Sequence, residues 1–133
     1  MSMGIVQILA FVYGIPFILI GIEHFREPQK FIEIVPSYLP FPLFLVYITG
    51  VMEIVGGIGI IYPDSRVLAG RFLVLFLIVV YLGNLYMWMN DIPFNGTKLT
   101  STGHLIRLII QILLIVGALG FSEDLSKIKE FRK

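Results

Sequence analysis

Apolar residues in this chain gather into four runs, at residues 4–22, 43–62, 68–89 and 105–121, with polar or proline-rich stretches between them. Each run has about 17–22 residues. At 1.5 Å per residue, a helix of that length crosses ~30 Å of hydrocarbon. The pattern predicts an all-α fold: a polytopic membrane protein built as a four-transmembrane-helix bundle, with helices at about 4–24, 43–62, 68–90 and 104–121 and a tail at 122–133. One bundle over residues 1–133 is the expected domain count. No Lys or Arg precedes the first run, and Pro16, Gly21 and Glu23 make a poor cleavage region, so the run reads as a retained helix. Pro16 frees the carbonyl of Val12, which predicts a kink or a local partner there.

The connections differ in kind. Residues 25–42 read FREPQKFIEIVPSYLPFP, too apolar for a free loop. A short helix after Pro28 would place Phe31, Ile34 and Val35 on one face and Lys30 and Glu33 on the other. Pro36, Pro40 and Pro42 then stiffen the return, with Pro42 near the first turn of the second span. The segment is expected to lie in the membrane interface as a lid over the bundle mouth. Residues 90–103 are polar and contain an Asn95-Gly96 turn. Asn95-Gly96-Thr97 is formally a glycosylation sequon, a triplet that chance supplies often. The tail from Ser122 opens like a short capped helix on the membrane surface.

Positive charge orients the bundle. Arg66, Arg71, Lys127, Lys129, Arg132 and Lys133 fall on the side shared by both termini, against Arg26, Lys30, Lys98 and Arg107 opposite. The bias predicts cytoplasmic termini in a cell (inner) membrane. Composition sharpens the class: 57% hydrophobic and 14% charged residues, against about 25% charged in soluble domains. The expected medium is the lipid bilayer. A net charge of +1 leaves no basic stripe to neutralise phosphates, which argues against nucleic acid as a partner. With no cysteine, thiolate metal sites and thiol–disulfide exchange within the chain are excluded.

Few polar groups interrupt the spans: Glu23, His24, Glu53, Asn84, Arg107 and Gln111, with Asn90 at the end of the third. An ionisable group at bilayer depth costs roughly 2.5–3.5 kcal/mol on insertion scales for the comparable Asp, Lys and Arg, so Glu53 calls for compensation. In the up-and-down order these groups arrive from separate spans at one outer layer. His104, Arg107 and Gln111 share a stripe by i, i+3, i+7 spacing. Thr49, Gly50, Gly56 and Gly57 surround Glu53, and small residues mark close helix approach, so Glu53 is expected to face the bundle interior. Arg107 is its expected counter-charge. His24 and His104 sit at outer span ends, yet nothing in the sequence sets them face to face as a haem pair would require. Glu23, His24, Glu53 and Asn84 are permitted metal-ligand types without a known ligand spacing, so no metal site is assigned. The aromatics read mainly as packing and interfacial belt.

Several motifs carry a resemblance. Gly21-Ile-Glu-His-Phe with Pro28 and Phe31, Ile34-Val-Pro-Ser-Tyr-Leu-Pro, and Gly50-Val-Met-Glu-Ile-Val-Gly-Gly-Ile-Gly, followed by Asn84-Leu-Tyr-Met-Trp-Met-Asn90 and Arg107-Leu-Ile-Ile-Gln111, resemble the DoxX family of small bacterial membrane proteins. That resemblance implies a four-helix bundle in the cytoplasmic membrane. Family members include subunits of membrane thiosulfate:quinone and related oxidoreductase systems, and distant similarity extends to NACHO, a membrane chaperone for acetylcholine receptors. Where many members carry an apolar residue or tryptophan before the arginine helix, this chain has His104.

Two function classes follow as expectations. One is an accessory subunit of a membrane redox system, whose outer polar cluster holds a quinone or other amphiphile, with Glu53 as proton acceptor. The other is a non-enzymatic chaperone or assembly factor, in which the cluster is a structural clamp and the lid binds a client. Lacking cysteine, a secure haem pair and a nucleotide loop, the chain has no self-contained electron carrier, which favours an accessory role over catalysis alone. A redox partner, a client protein or a second copy of the chain are the partners these classes imply.

Overall fold

The computed structural model describes residues 4–94 and 96–123. Four long helices, α1 (Ile5–Arg26), α3 (Pro42–Ile61), α4 (Arg66–Met89) and α5 (Ser101–Phe121), form an antiparallel bundle, with the single-turn α2 (Gln29–Ile32) between the first two. No strand occurs among the described residues, only an isolated bridge between Phe94 and Thr97. All four long helices are long and apolar enough to cross a membrane, and the chain is a multi-pass membrane protein. Its outer faces agree with that medium. Val12, Leu75 and Leu113 stand exposed, whereas the interior is Ala10, Phe17, Ile60, Leu73, Phe76, Leu77 and Ala118. Water would disfavour such a surface; hydrocarbon does not.

Helix ends explain the small differences from the predicted bounds. The Thr100 side chain accepts a hydrogen bond from the Gly103 amide at 3.1 Å, so α5 begins at Ser101, three residues before the apolar run suggests. Pro42 occupies the first turn of α3 as expected. The preceding Phe41 takes a left-handed conformation, φ 55°, which turns the chain sharply into the helix. Pro63–Ser65 form one 3₁₀ turn, so α4 starts at Arg66. α1 continues through Pro16 to Arg26 without a break in helical assignment. Asn95 and the tail at 124–133, where the sequon and most of the capped helix were expected, lie outside the described residues.

The α1–α3 seam is the most extensive contact in the bundle, and glycine makes it. A Cβ added at Gly14 would lie 2.6 Å from the Gly57 carbonyl oxygen, and one at Gly57 would lie 2.6 Å from that of Gly14. Seven residues along, a Cβ on Gly21 would lie 2.7 Å from the Gly50 oxygen. Between lipid-embedded helices the gain comes from dispersion at close range, which only small residues permit. At the opposite edge α1 meets α5 more sparsely, where the Tyr13 hydroxyl donates to the Leu114 carbonyl at 2.5 Å.

Candidate functional site

At the end of the bundle that holds α2, the helices part around a cavity of about 480 Å³. Its walls are mostly apolar: Phe17, Leu77, Val80 and Leu114 from the helices, and Phe31, Ile34, Val35 and Pro36 from the connection above them. Residues 25–42 therefore cover the mouth, with the apolar face expected from the sequence turned inward. Lys30 turns the other way, lying 2.8 Å from Glu27 and 3.6 Å from Glu23. Hydrogen bonding to Lys30 holds the Glu27 carboxyl below its ordinary range, and the same bond holds the Lys30 amine above its own.

Five of the seven sequence-selected residues line this cavity: His24, Glu53, Asn84, Arg107 and Gln111. Two do not. Glu23 sits at the rim with Arg26 and Lys30. Asn90 is exposed at the end of α4, where its side chain bonds the Tyr86 carbonyl. His104 is buried outside the lining and stacks on Trp88 at 5.3 Å, while His24 stacks on Phe31 at 3.8 Å.

The expected Glu53–Arg107 ion pair is not formed. Arg107 Nη2 instead donates to Asn84 Oδ1 at 2.5 Å, and the nearest basic group to Glu53 is His24, with Nδ1 3.5 Å from Oε2. The reason is geometric. α5 packs against α4, whereas α3 packs against α1 and α4, so Arg107 finds a partner on its immediate neighbour before it can reach across the cavity. His24 does not satisfy Glu53 either. Its Nδ1 lies 2.8 Å from the Ile20 carbonyl, an acceptor only, so that nitrogen carries the proton and commits it there. Glu53 Oε2 and Arg107 Nε are consequently both buried without a hydrogen-bond partner. Gln111 is anchored, its Nε2 donating to the Leu77 carbonyl at 2.7 Å.

Aromatic contacts join the two poles over the mouth. His24 stacks on Phe31, Phe31 meets the Phe94 ring edge-on at 5.8 Å, and the Arg107 guanidinium lies 5.3 Å from the Phe94 centroid. Phe94 comes from the connection between α4 and α5, where it exchanges backbone hydrogen bonds with Thr97. Its role was not foreseen, because a phenylalanine in a polar loop gives no periodic signal. At the opposite end of the bundle Arg66 was likewise read only as orienting charge. It is buried, donating to the carbonyls of Ile60 (2.7 Å) and Ile61 (3.0 Å) and to Gln7 Oε1 (2.5 Å).

A family model described as Domain of unknown function (DUF8561) matches residues 14–122, a span containing every cavity-lining residue. No curated protein and no solved structure matches the chain.

Proposed function

The chain belongs to the DUF8561 family, and we propose that it acts as a DoxX-like accessory subunit of a membrane redox system, holding an amphiphilic ligand, quinone-like or other, in the cavity beneath residues 25–42. The observation that carries this reading is the pair of unpartnered buried atoms, Glu53 Oε2 and Arg107 Nε, on side chains that line one apolar-walled cavity. Buried polar groups left unmatched cost about 1–3 kcal/mol each, and a ligand that matches them recovers that cost on binding. The volume falls within the roughly 300–1,000 Å³ typical of small-molecule sites. A polar pole under apolar walls suits a ligand delivered from the bilayer. In this reading the protein resides in the cell (inner) membrane with both termini cytoplasmic and the cavity in the outer half. The absence of cysteine supports an accessory role.

Adding quinones and single-chain lipids to the purified protein should raise its melting temperature, since a ligand that prefers the folded state stabilises it by mass action. Thr49 lines the cavity and bonds only to its own helix, so Thr49→Trp should fill the space and remove the shift while keeping the fold. If no compound in the panel shifts the wild type, the cluster is a structural clamp, as the chaperone reading holds. Orientation is checked by labelling a chain that has no cysteine of its own. External reagent should mark Ser37→Cys and spare Asp64→Cys, exposed at the α3–α4 turn; the reverse pattern inverts the topology.

A further inference from the structure

The two open valences in the cavity differ in kind, and together they define a headgroup. As a carboxylate, Glu53 presents Oε2 as an acceptor that needs a donor from the ligand; Arg107 Nε is a donor and needs an acceptor. Neighbouring side chains do not fill either need. The His24 Nδ1 proton is committed to Ile20, Asn84 already accepts from Arg107 Nη2, and Gln111 donates to Leu77. Charge narrows the choice further. Glu53 and Arg107 are lining residues of opposite formal charge, so a carboxylate at Glu53 and the Arg107 guanidinium cancel. A phosphate headgroup would leave a surplus negative charge at low dielectric, and a quaternary ammonium a surplus positive one; neither compensates both atoms.

The walls define the rest of the molecule. Ile20, Val79, Leu82 and Ile110 line the cavity and are each about half exposed on the lipid-facing surface. The cavity therefore reaches that surface between helices, so an apolar tail longer than the chamber has a lateral way out. We infer that the ligand class is an uncharged single-chain amphiphile whose headgroup offers a hydroxyl donor to Glu53 and a carbonyl acceptor to Arg107. A headgroup with acceptors alone leaves Glu53 unmatched, and a lone hydroxyl placed at Glu53 has no second group to meet Arg107 across the cavity, so each binds more weakly. The inference rests on the binding reading above and specifies which molecules the site selects.

Four oleoyl probes separate the possibilities in competition measured by native mass spectrometry of the full chain in detergent: monoolein, with hydroxyls and an ester carbonyl; methyl oleate, with the carbonyl only; oleyl alcohol, with the hydroxyl only; and the anionic lysophosphatidic acid. Monoolein should bind more tightly than each of the others by about tenfold or more, the equivalent of one unmatched buried group. Glu53→Met should erase its advantage over methyl oleate, and Arg107→Met its advantage over oleyl alcohol. The wild-type panel decides by itself if either variant fails to fold. Equal binding of monoolein and methyl oleate, or a preference for lysophosphatidic acid, overturns the inference while leaving a binding site. Failure of all four to bind overturns the inference, and the quinones in the melting-temperature panel then decide the proposed function.

Discussion

Gly57→Leu is expected to be the most disruptive single substitution in the chain, forcing α1 from α3 and collapsing the cavity's polar pole. The atom a Cβ would meet is the Gly14 carbonyl oxygen, at 2.6 Å, and a backbone atom cannot rotate away as a side chain can. Even Gly57→Ala should cost about 1–3 kcal/mol as an overpacked contact, and leucine more, because the whole seam must open. His24 and Glu53 face each other across that seam, so ligand-dependent stabilisation should disappear along with the fold's stability in detergent. Gly120→Ala is the control: nothing lies within 4 Å of its added Cβ, and helix propensity favours alanine by about 1 kcal/mol. Unfolding curves of Gly57→Ala and Gly120→Ala that coincide would refute the seam as described.

Arg66→Met should have the next largest effect, although Arg66 is far from the cavity. Its guanidinium joins the last carbonyls of α3 to Gln7 on α1 from the first turn of α4. Those carbonyls have no intrahelical partner, and a cation at a helix C-terminus is favoured by the dipole as well. Hydrogen bonds to a charged group contribute about 1.5–3 kcal/mol each. Losing all three should lower stability by at least about 3 kcal/mol, allowing for non-additivity. Lysine should not restore it, since a single ammonium cannot reproduce the planar fork that reaches separate acceptors. Arg71→Met, on an exposed position, should stay within about 0.5 kcal/mol of wild type. Thermal unfolding in one detergent compares all three.

These two results mark where sequence reasoning succeeded and where it stopped. Span positions were legible because hydropathy is a sum over about 20 residues and tolerates errors of a few positions. The glycine face around Glu53 was legible too, since helical periodicity puts Gly50, Gly56 and Gly57 near it. Gly14 and Gly21, which meet Gly57 and Gly50, were not, because α1 is apolar on all sides and no polar face marks its orientation. Helix faces also brought Arg107 and Gln111 to the right stripe. What they could not supply was which helices are neighbours: Arg107 met Asn84 on the adjacent α4, and the expected partner Glu53 stood across a cavity. Arg66 carried a stronger lesson. A buried arginine at a helix end and a solvated one have identical local sequence signals, and only the position of Gln7 in space separates them.

The ring contacts over the mouth have a kinetic consequence. Lifting residues 25–42 breaks the His24–Phe31 stack and the Phe31–Phe94 edge contact. At about 0.5–1.5 kcal/mol for each aromatic pair, the latch holds by roughly 2 kcal/mol. An energy gap of that size leaves the uncovered form populated on the order of 3% of the time. A molecule that enters and leaves only when the mouth is uncovered would then exchange about thirtyfold more slowly than through an open mouth. Its affinity would not change, because the bound molecule lies beneath the closed cover. Phe94→Ala removes one of those two contacts, and so should speed the entry and exit of a guest severalfold.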